Sequence, residues 1–191
     1  QYFDGMLNLP AGETAAFRIN AMHSSTDGWL DDAATGQALN DGRNWAMRAA
    51  FRWDISDNTQ MRVSWDHEDL NARSHPTIGI VALPPSPLLP PVPADASLYQ
   101  NPIGRPAYTD VLDNNETRKF DGATLVLDHA FEWGHLVSTT AWRNFDTFNR
   151  AEEDGTNRID LYLDTINLED NTTWYQEFKF SGTTEHLDWV A

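Results

Sequence analysis

Cysteine is absent from the 191 residues. That excludes disulfides and thiolate metal sites, and it leaves the cytosol, the periplasm and the cell surface open. Basic residues are scarce as well: 13 Lys and Arg stand against 29 Asp and Glu, a formal net charge of -16. Such a balance argues against nucleic acid and anionic lipid headgroups as partners, since both require Lys/Arg patches. It suits cationic or metal-chelate ligands, and it equally serves solubility alone. No run of 18 apolar residues occurs, so no transmembrane helix is expected. This absence has no force for a transmembrane β-strand, in which lipid-facing apolar and lumen-facing polar residues alternate and average out. The start, Gln1-Tyr2-Phe3-Asp4, carries neither an initiating Met nor a basic-plus-apolar leader. The chain is therefore expected to begin after processing or inside a longer protein.

Catalytic and metal signatures are missing too. There is no HExxH, no G-x-S-x-G, no phosphate-cradling glycine loop and no dinucleotide fingerprint. The six histidines are scattered, with His23, His67 and His129 expected on outward faces near strand ends. Asp66 and Glu68 would suit a glycosidase as a carboxylate pair, but such pairs occur in most polar strands. The chain is expected not to be an enzyme, and to hold no cofactor and no metal.

What the sequence does have is aromatic residues, 12% of the chain, and strand-like alternation. In the segment 45–53, Trp45, Met47, Ala49, Phe51 and Trp53 share one face, with Ala46, Arg48, Ala50 and Arg52 on the other. A helix would smear both sets around the cylinder, so period 2 decides for a strand. Met61, Val63, Trp65 and His67 repeat the pattern against Arg62, Ser64, Asp66 and Glu68. Similar alternation marks 17–21, 123–131 and 174–180. A strand over about 135–149 is expected without a decided face: Leu136 and Trp142 lie on one side, Val137, Ala141 and Phe145 on the other.

Connections sort by length. Those near 10–13, 55–60, 132–134 and 181–186 are short; those near 27–42, 75–117 and 151–170 are long, and the two kinds alternate strictly. A sandwich has no reason to keep every long loop at one end, whereas an outer-membrane barrel has short periplasmic turns and long extracellular loops. Trp45 and Trp53 are eight steps apart, roughly 26 Å at about 3.3 Å per residue. Tilted by about 45°, that places one Trp near each edge of an apolar band about 25 Å tall. On this reading Trp45, Trp53, Trp65, Trp133, Trp174 and Trp189 are membrane-interface aromatics. Arg48, Arg52, Arg62, Asp66 and Glu68 are lumen-facing.

Several of these segments resemble TonB-dependent receptors of the bacterial outer membrane. Phe17-Arg18-Ile19-Asn20-Ala21, Asp27-Gly28-Trp29-Leu30-Asp31, Leu39-Asn40-Asp41 and Trp45-Ala46-Met47-Arg48 are similar to the family's early barrel strands. Thr173-Trp174-Tyr175-Gln176-Glu177-Phe178-Lys179-Phe180 and Leu136-Val137-Ser138-Thr139-Thr140-Ala141-Trp142-Arg143 are similar to later ones, in the expected order. The resemblance implies that residues 1–191 form an all-β antiparallel meander of about eight strands. This would be part of a transmembrane barrel of about 22 strands. It implies import of a scarce nutrient: a ferric siderophore, haem, cobalamin or an oligosaccharide. The implied partners are outer-membrane lipid, a plug domain and the remaining strands, neither of which is in this sequence, and the inner-membrane TonB complex. Asp31 and Asp32, together with Tyr99, Arg105 and Tyr108 of the proline-rich loop, are the expected ligand contacts in extracellular loops. Asp27, Asp31 and Asp32 match no compact calcium loop, and Glu152, Glu153 and Asp154 likewise read as a solvated acidic loop. The competing reading is a soluble secreted β-sandwich, a carbohydrate-binding module or glycosidase. It predicts Trp45, Phe51 and Trp65 in a closed core. A passive porin-type barrel is the third reading.

Overall fold

A computed structural model describes residues 1–75, 77–78, 107–111, 114–155 and 162–191. Its elements are β1 (Tyr2–Pro10), β2 (Ala15–Thr26), β3 (Leu30–Asp31), β4 (Ala38–Leu39), β5 (Gly42–Ser56), β6 (Thr59–Ala72), β7 (Glu116–Phe131), β8 (Gly134–Glu152), β9 (Asp164–Thr183) and β10 (Asp188–Val190). Eight of them form one antiparallel sheet in the order β1-β2-β5-β6-β7-β8-β9-β10, so each long strand pairs with its neighbour in sequence. β3 and β4 make a separate hairpin inside the connection 27–41. The expected all-β meander of about eight strands is the observed architecture.

The alternation of connections is also as expected. Residues 11–14, 57–58, 132–133 and 184–187 close the short end of the sheet, and the connections 27–41, 73–115 and 153–163 leave and re-enter it at the other. One boundary differs. The connection expected over 151–170 spans only 153–163, because β8 runs to Glu152 and β9 starts at Asp164. The acid-rich stretch Asp164-Thr165-Ile166-Asn167-Leu168-Glu169-Asp170 reads as loop by composition, yet it completes the ladder with Phe148 opposite Leu168 and Arg150 opposite Ile166. At 19 and 20 residues, β8 and β9 are about twice as long as a membrane-crossing strand requires. Hydrogen bonding to a neighbour, rather than apolar content, holds their outer ends.

Directly paired residues of an antiparallel ladder point to the same side, so the register assigns faces. Phe17, Phe51, Val63 and Leu125 form one continuous row across four strands. Ile19, Ala49, Trp65, Ala123, Trp142 and Trp174 form another on the same side. Leu136 joins this apolar side opposite His129, while Val137 and Phe145 lie on the polar side, which decides the face of β8.

No second large sheet packs on either face among the described residues. The buried apolar residues, Leu39, Ala107 and Val111, cluster instead at the long-connection end. Trp45 is 42% exposed, not enclosed. The sandwich expectation of a closed core around Trp45, Phe51 and Trp65 is therefore not met.

Candidate functional site

The polar face carries the charged groups expected there. Arg48, Arg52, Arg62, Asp66 and Glu68 all fall on it, because each pairs across the ladder with another member of that side. Arg48 reaches Asp66 at 3.3 Å, and Arg118 reaches Glu68 at 3.1 Å. Arg52 is turned back by two bonds to Asp54, at 3.1 and 2.8 Å. Arg18 donates to Asn8 at 2.7 Å. Arg62 has no acidic partner among the described residues. Arg18, Arg48, Arg52 and Arg62 line one cleft of about 450 Å³ with Asn8, Ser64, Thr124 and Val126. An acidic protein thus gathers four of its few cations in one concavity near the short end. Arg18 was recognisable in sequence only as part of an alternating pattern. Its convergence with Arg62 depends on the registers of two ladders.

The opposite face is apolar and open. Phe17 lies 4.6 Å from Phe51, ring centre to ring centre. His67 lies 4.6 Å from Trp45 and 5.6 Å from Trp65, and its Nδ1 is 2.8 Å from Asp121. At the short end Phe131 stacks on Trp133 at 5.0 Å, and Trp133 on Trp189 at 6.4 Å. Gly182, the cross-strand partner of Trp189, makes room for that indole: a Cβ on Gly182 would stand 2.5 Å from a ring carbon. Trp65 and Trp174 sit mid-strand, paired through Ala123 and Trp142. Inside the band the face is interrupted by Ser138, Thr140 and Gln176, which bond one another: Thr140 donates to Gln176 at 2.6 Å and Gln176 donates to Ser138 at 3.2 Å.

The apolar face reaches farther toward the short end at β9 than at β5. Following the registers from Trp45 across β6, β7 and β8 leads to Asp170, yet the Trp that ends the continuous apolar band on β9 is Trp174, four residues nearer the short end. All of that drop falls between β5 and β6: Asp69, the partner of Trp45, lies four residues beyond Trp65, and Trp65, Ala123, Trp142 and Trp174 then pair directly in one level row. At the lower edge, Phe17 leads by the same route to Gln176, whereas Trp189 covers Gly182, six residues on and five spacings away. Above the upper edge the same side turns polar through His67, Asp121, Asn144 and Thr172, and apolar side chains recur only farther out, at Phe148, Ile166 and Leu168.

At the long-connection end the loops are built around buried acids. Asp32 is 2% exposed. Its carboxylate accepts bonds from Ala34 N at 3.3 Å and Thr35 N at 3.1 Å, and from the Thr35 hydroxyl, so it closes a turn. Its backbone bridges Ala107 of the long connection. This is a correction to its expected place among exposed ligand contacts: the turn consumes its oxygens. Asp31 stays exposed. Arg73 ties the hairpin down by reaching Asp41 at 3.1 Å and donating to the Ala38 carbonyl. Tyr108 is half-buried in the segment that meets Asp32; Tyr99 and Arg105 lie outside the described residues.

Glu152, expected in a solvated acidic loop, is 0% exposed, which corrects that reading. Its carboxylate accepts from Asp154 N at 2.8 Å and Gly155 N at 3.1 Å, and more weakly from Thr109 Oγ1 and Asp110 N, both at 3.3 Å. Burial raises its pKa above the ordinary carboxylate value, and the nearby Asp154 charge adds to this. Asp110 is likewise raised, first by burial and then by Asp154. No local signal separates Glu152 from Glu153 in the sequence, since its burial comes from residues some forty positions earlier.

No family model matches the chain, and no curated protein does. Among solved structures it is similar to the ferric-catecholate import receptor Fiu from E. coli K12, in an open form, with 17% identity and a TM-score of 0.65. The likeness covers 96% of this chain and 29% of that one, so the chain spans under a third of the receptor's length. What it establishes is the fold: an all-β antiparallel sheet alike to a segment of an import receptor.

Proposed function

We propose that the chain is part of the wall of a TonB-dependent receptor in a bacterial outer membrane, working in active uptake of a scarce nutrient and not as an enzyme. The observation that carries this is the exposed apolar band that runs through five registered ladders from Ile19 to Trp174 on one face of the sheet. With it go the polar opposite face and the strict alternation of short and long connections. β1 and β9 leave most of their outer backbone edges unpaired within the sheet. In lipid such edges must be paired, and further strands of the same barrel are the partners that do so.

Arg48, Arg52, Arg62, Asp66 and Glu68 then face the lumen, where a plug domain and a passing ligand meet them. The aromatic rows face lipid and its interfaces. Asp31 and Tyr108 belong to the outer loops. Ferric siderophores are the first ligand class to test, because the similar solved receptor imports ferric catecholates and because the arginine cleft suits an anionic chelate. Haem, cobalamin and oligosaccharides follow.

The test is uptake of radio-iron as a ferric tris-catecholate by cells with and without the gene for the complete chain, each with TonB intact or deleted. Uptake that requires both gives the expected result. Uptake that requires the chain but ignores TonB makes it a passive porin, and recovery of the complete chain in the soluble fraction overturns the membrane reading.

A further inference from the structure

We propose that Arg18, Arg48, Arg52 and Arg62 form a binding site, centred on Ala50 and Ser64 of the polar face, for a small ligand with two or more carboxylate or phosphate groups. The place of this site in uptake rests on the transport reading; the binding itself rests on the cleft alone.

The registers set the four arginines around one hollow. Ala50 lies between Arg48 and Arg52 on the same face of β5, and it pairs with Arg18 on one side and Ser64 on the other. Arg62 stands two residues from Ser64 along β6 and directly opposite Arg52. The small side chains of Ala50 and Ser64 make the floor of the cleft, whose 450 Å³ is in the range of small-molecule sites. Ser64 is 8% exposed and accepts from Arg48 at 3.4 Å, so its hydroxyl proton remains for an anion.

Like charges directly opposite each other across a ladder repel, and Arg52 and Arg62 are such a pair. Composition does not force this, since acids outnumber bases 29 to 13 in the chain. Asp66 answers Arg48 and Asp54 answers Arg52, while Arg18 and Arg62 have no acidic partner among the described residues. The cleft therefore keeps an excess of positive charge that a bound anion relieves. The side chains of Arg48 and Arg52 are each 57% exposed despite their ion pairs, which leaves guanidinium donors for a ligand. The planar fork of those donors matches the oxygens of carboxylate and phosphate. Arg18 and Arg62 lie two strand spacings across and two residues along from each other, a Cα separation on the order of 12 Å. A ligand with two anionic groups bridges that span better than a single ion does. The rival occupant is an acidic segment from elsewhere in the complete chain.

The experiment uses the complete chain to which these residues belong, purified in detergent and free of divalent ions. Citrate, pyrophosphate and acetate are titrated calorimetrically at one ionic strength into the wild type, Arg62→Ala, Ala50→Glu and the control Arg43→Ala, an exposed arginine at the outer end of β5. Citrate or pyrophosphate is expected to bind the wild type at least about tenfold more tightly than acetate. Arg62→Ala is expected to weaken that binding about tenfold, and Ala50→Glu, which sets a carboxylate in the hollow, to remove it. Arg43→Ala should leave it unchanged. Acetate binding as tightly, or an equal loss in Arg43→Ala, means diffuse attraction and overturns the site. Absence of binding overturns it as well; if Arg62→Ala then also lowers the urea midpoint, an acidic segment of the chain fills the cleft. If Ala50→Glu does not fold, Arg62→Ala decides. Uptake that ignores TonB would sink the transport reading and leave this binding intact.

Discussion

Gly122 and Arg143 face each other across the ladder of β7 and β8, and the missing side chain of the glycine is what lets the arginine lie along the sheet. A Cβ on Gly122 would stand 2.9 Å from Arg143 Cδ and 3.1 Å from the Phe120 ring. Lying there, Arg143 donates to the Ala123 carbonyl and the Thr124 hydroxyl, each at 3.0 Å, and to the Trp142 carbonyl at 2.8 Å. Gly122→Val is therefore expected to lift Arg143 off these acceptors and to cost about 1–3 kcal/mol. The urea midpoint of the complete chain in detergent measures it. An unchanged midpoint would mean that Arg143 finds equal partners elsewhere.

Trp189 and Gly182 make the converse case, in which an indole fills the space a glycine leaves. β10 is held by the pairing of its three residues, by two backbone bonds between Ala191 and Phe180 at 2.8 and 2.9 Å, and by Trp189 against Gly182 and Trp133. Trp189→Ala is expected to release β10, seen as fast amide exchange over 188–190, with exchange over 135–145 unchanged. Gly182→Ala should act in the same direction, because its methyl takes the ring's place.

The two faces of the sheet should tolerate charge very differently. Leu125 lies in the centre of the apolar band and Thr139 on the polar side opposite Glu177. Leu125→Arg is expected to cost about 2–4 kcal/mol in folding into lipid vesicles. Thr139→Arg, beside a carboxylate, should cost under about 1 kcal/mol. Equal penalties at both positions would sink the assignment of lipid and lumen sides.

Arg62 has a free role in the cleft, so its charge should matter for cargo and not for folding. Arg62→Glu is expected to leave the unfolding free energy from urea titration within about 0.5 kcal/mol of wild type. Uptake of an anionic ferric chelate should fall several-fold, and more steeply at low salt than at high.

Asp32→Ala removes the acceptors of a closed turn and leaves the Ala34 and Thr35 amides without partners. A local cost of about 1–2 kcal/mol is expected, since the lost bonds resemble those of a helix cap. Limited proteolysis should then nick the connection 27–41 while the strands stay intact. Asp31→Ala, exposed beside it, should not change the cleavage rate.

By itself the sequence determined which residues share a face and where the chain turns short or long. Both are local properties: side chains alternate with period 2 along any strand, so Trp45 with Phe51 and Arg48 with Arg52 separate without knowledge of a neighbour. Tertiary structure decided what depends on register or on distant chain. The continuity of the apolar band from Ile19 to Trp174 appears only when the registers of five ladders are combined. The start of β9 at Asp164 is set by the partner β8, since an acid-rich segment becomes a strand when its backbone is paired. Asp32 and Glu152 looked like their exposed neighbours Asp31 and Glu153, and were told apart only by residues 107–111 folding onto them. Burial of a charged group is a property of what packs against it, and here that comes from some forty to seventy residues away along the chain.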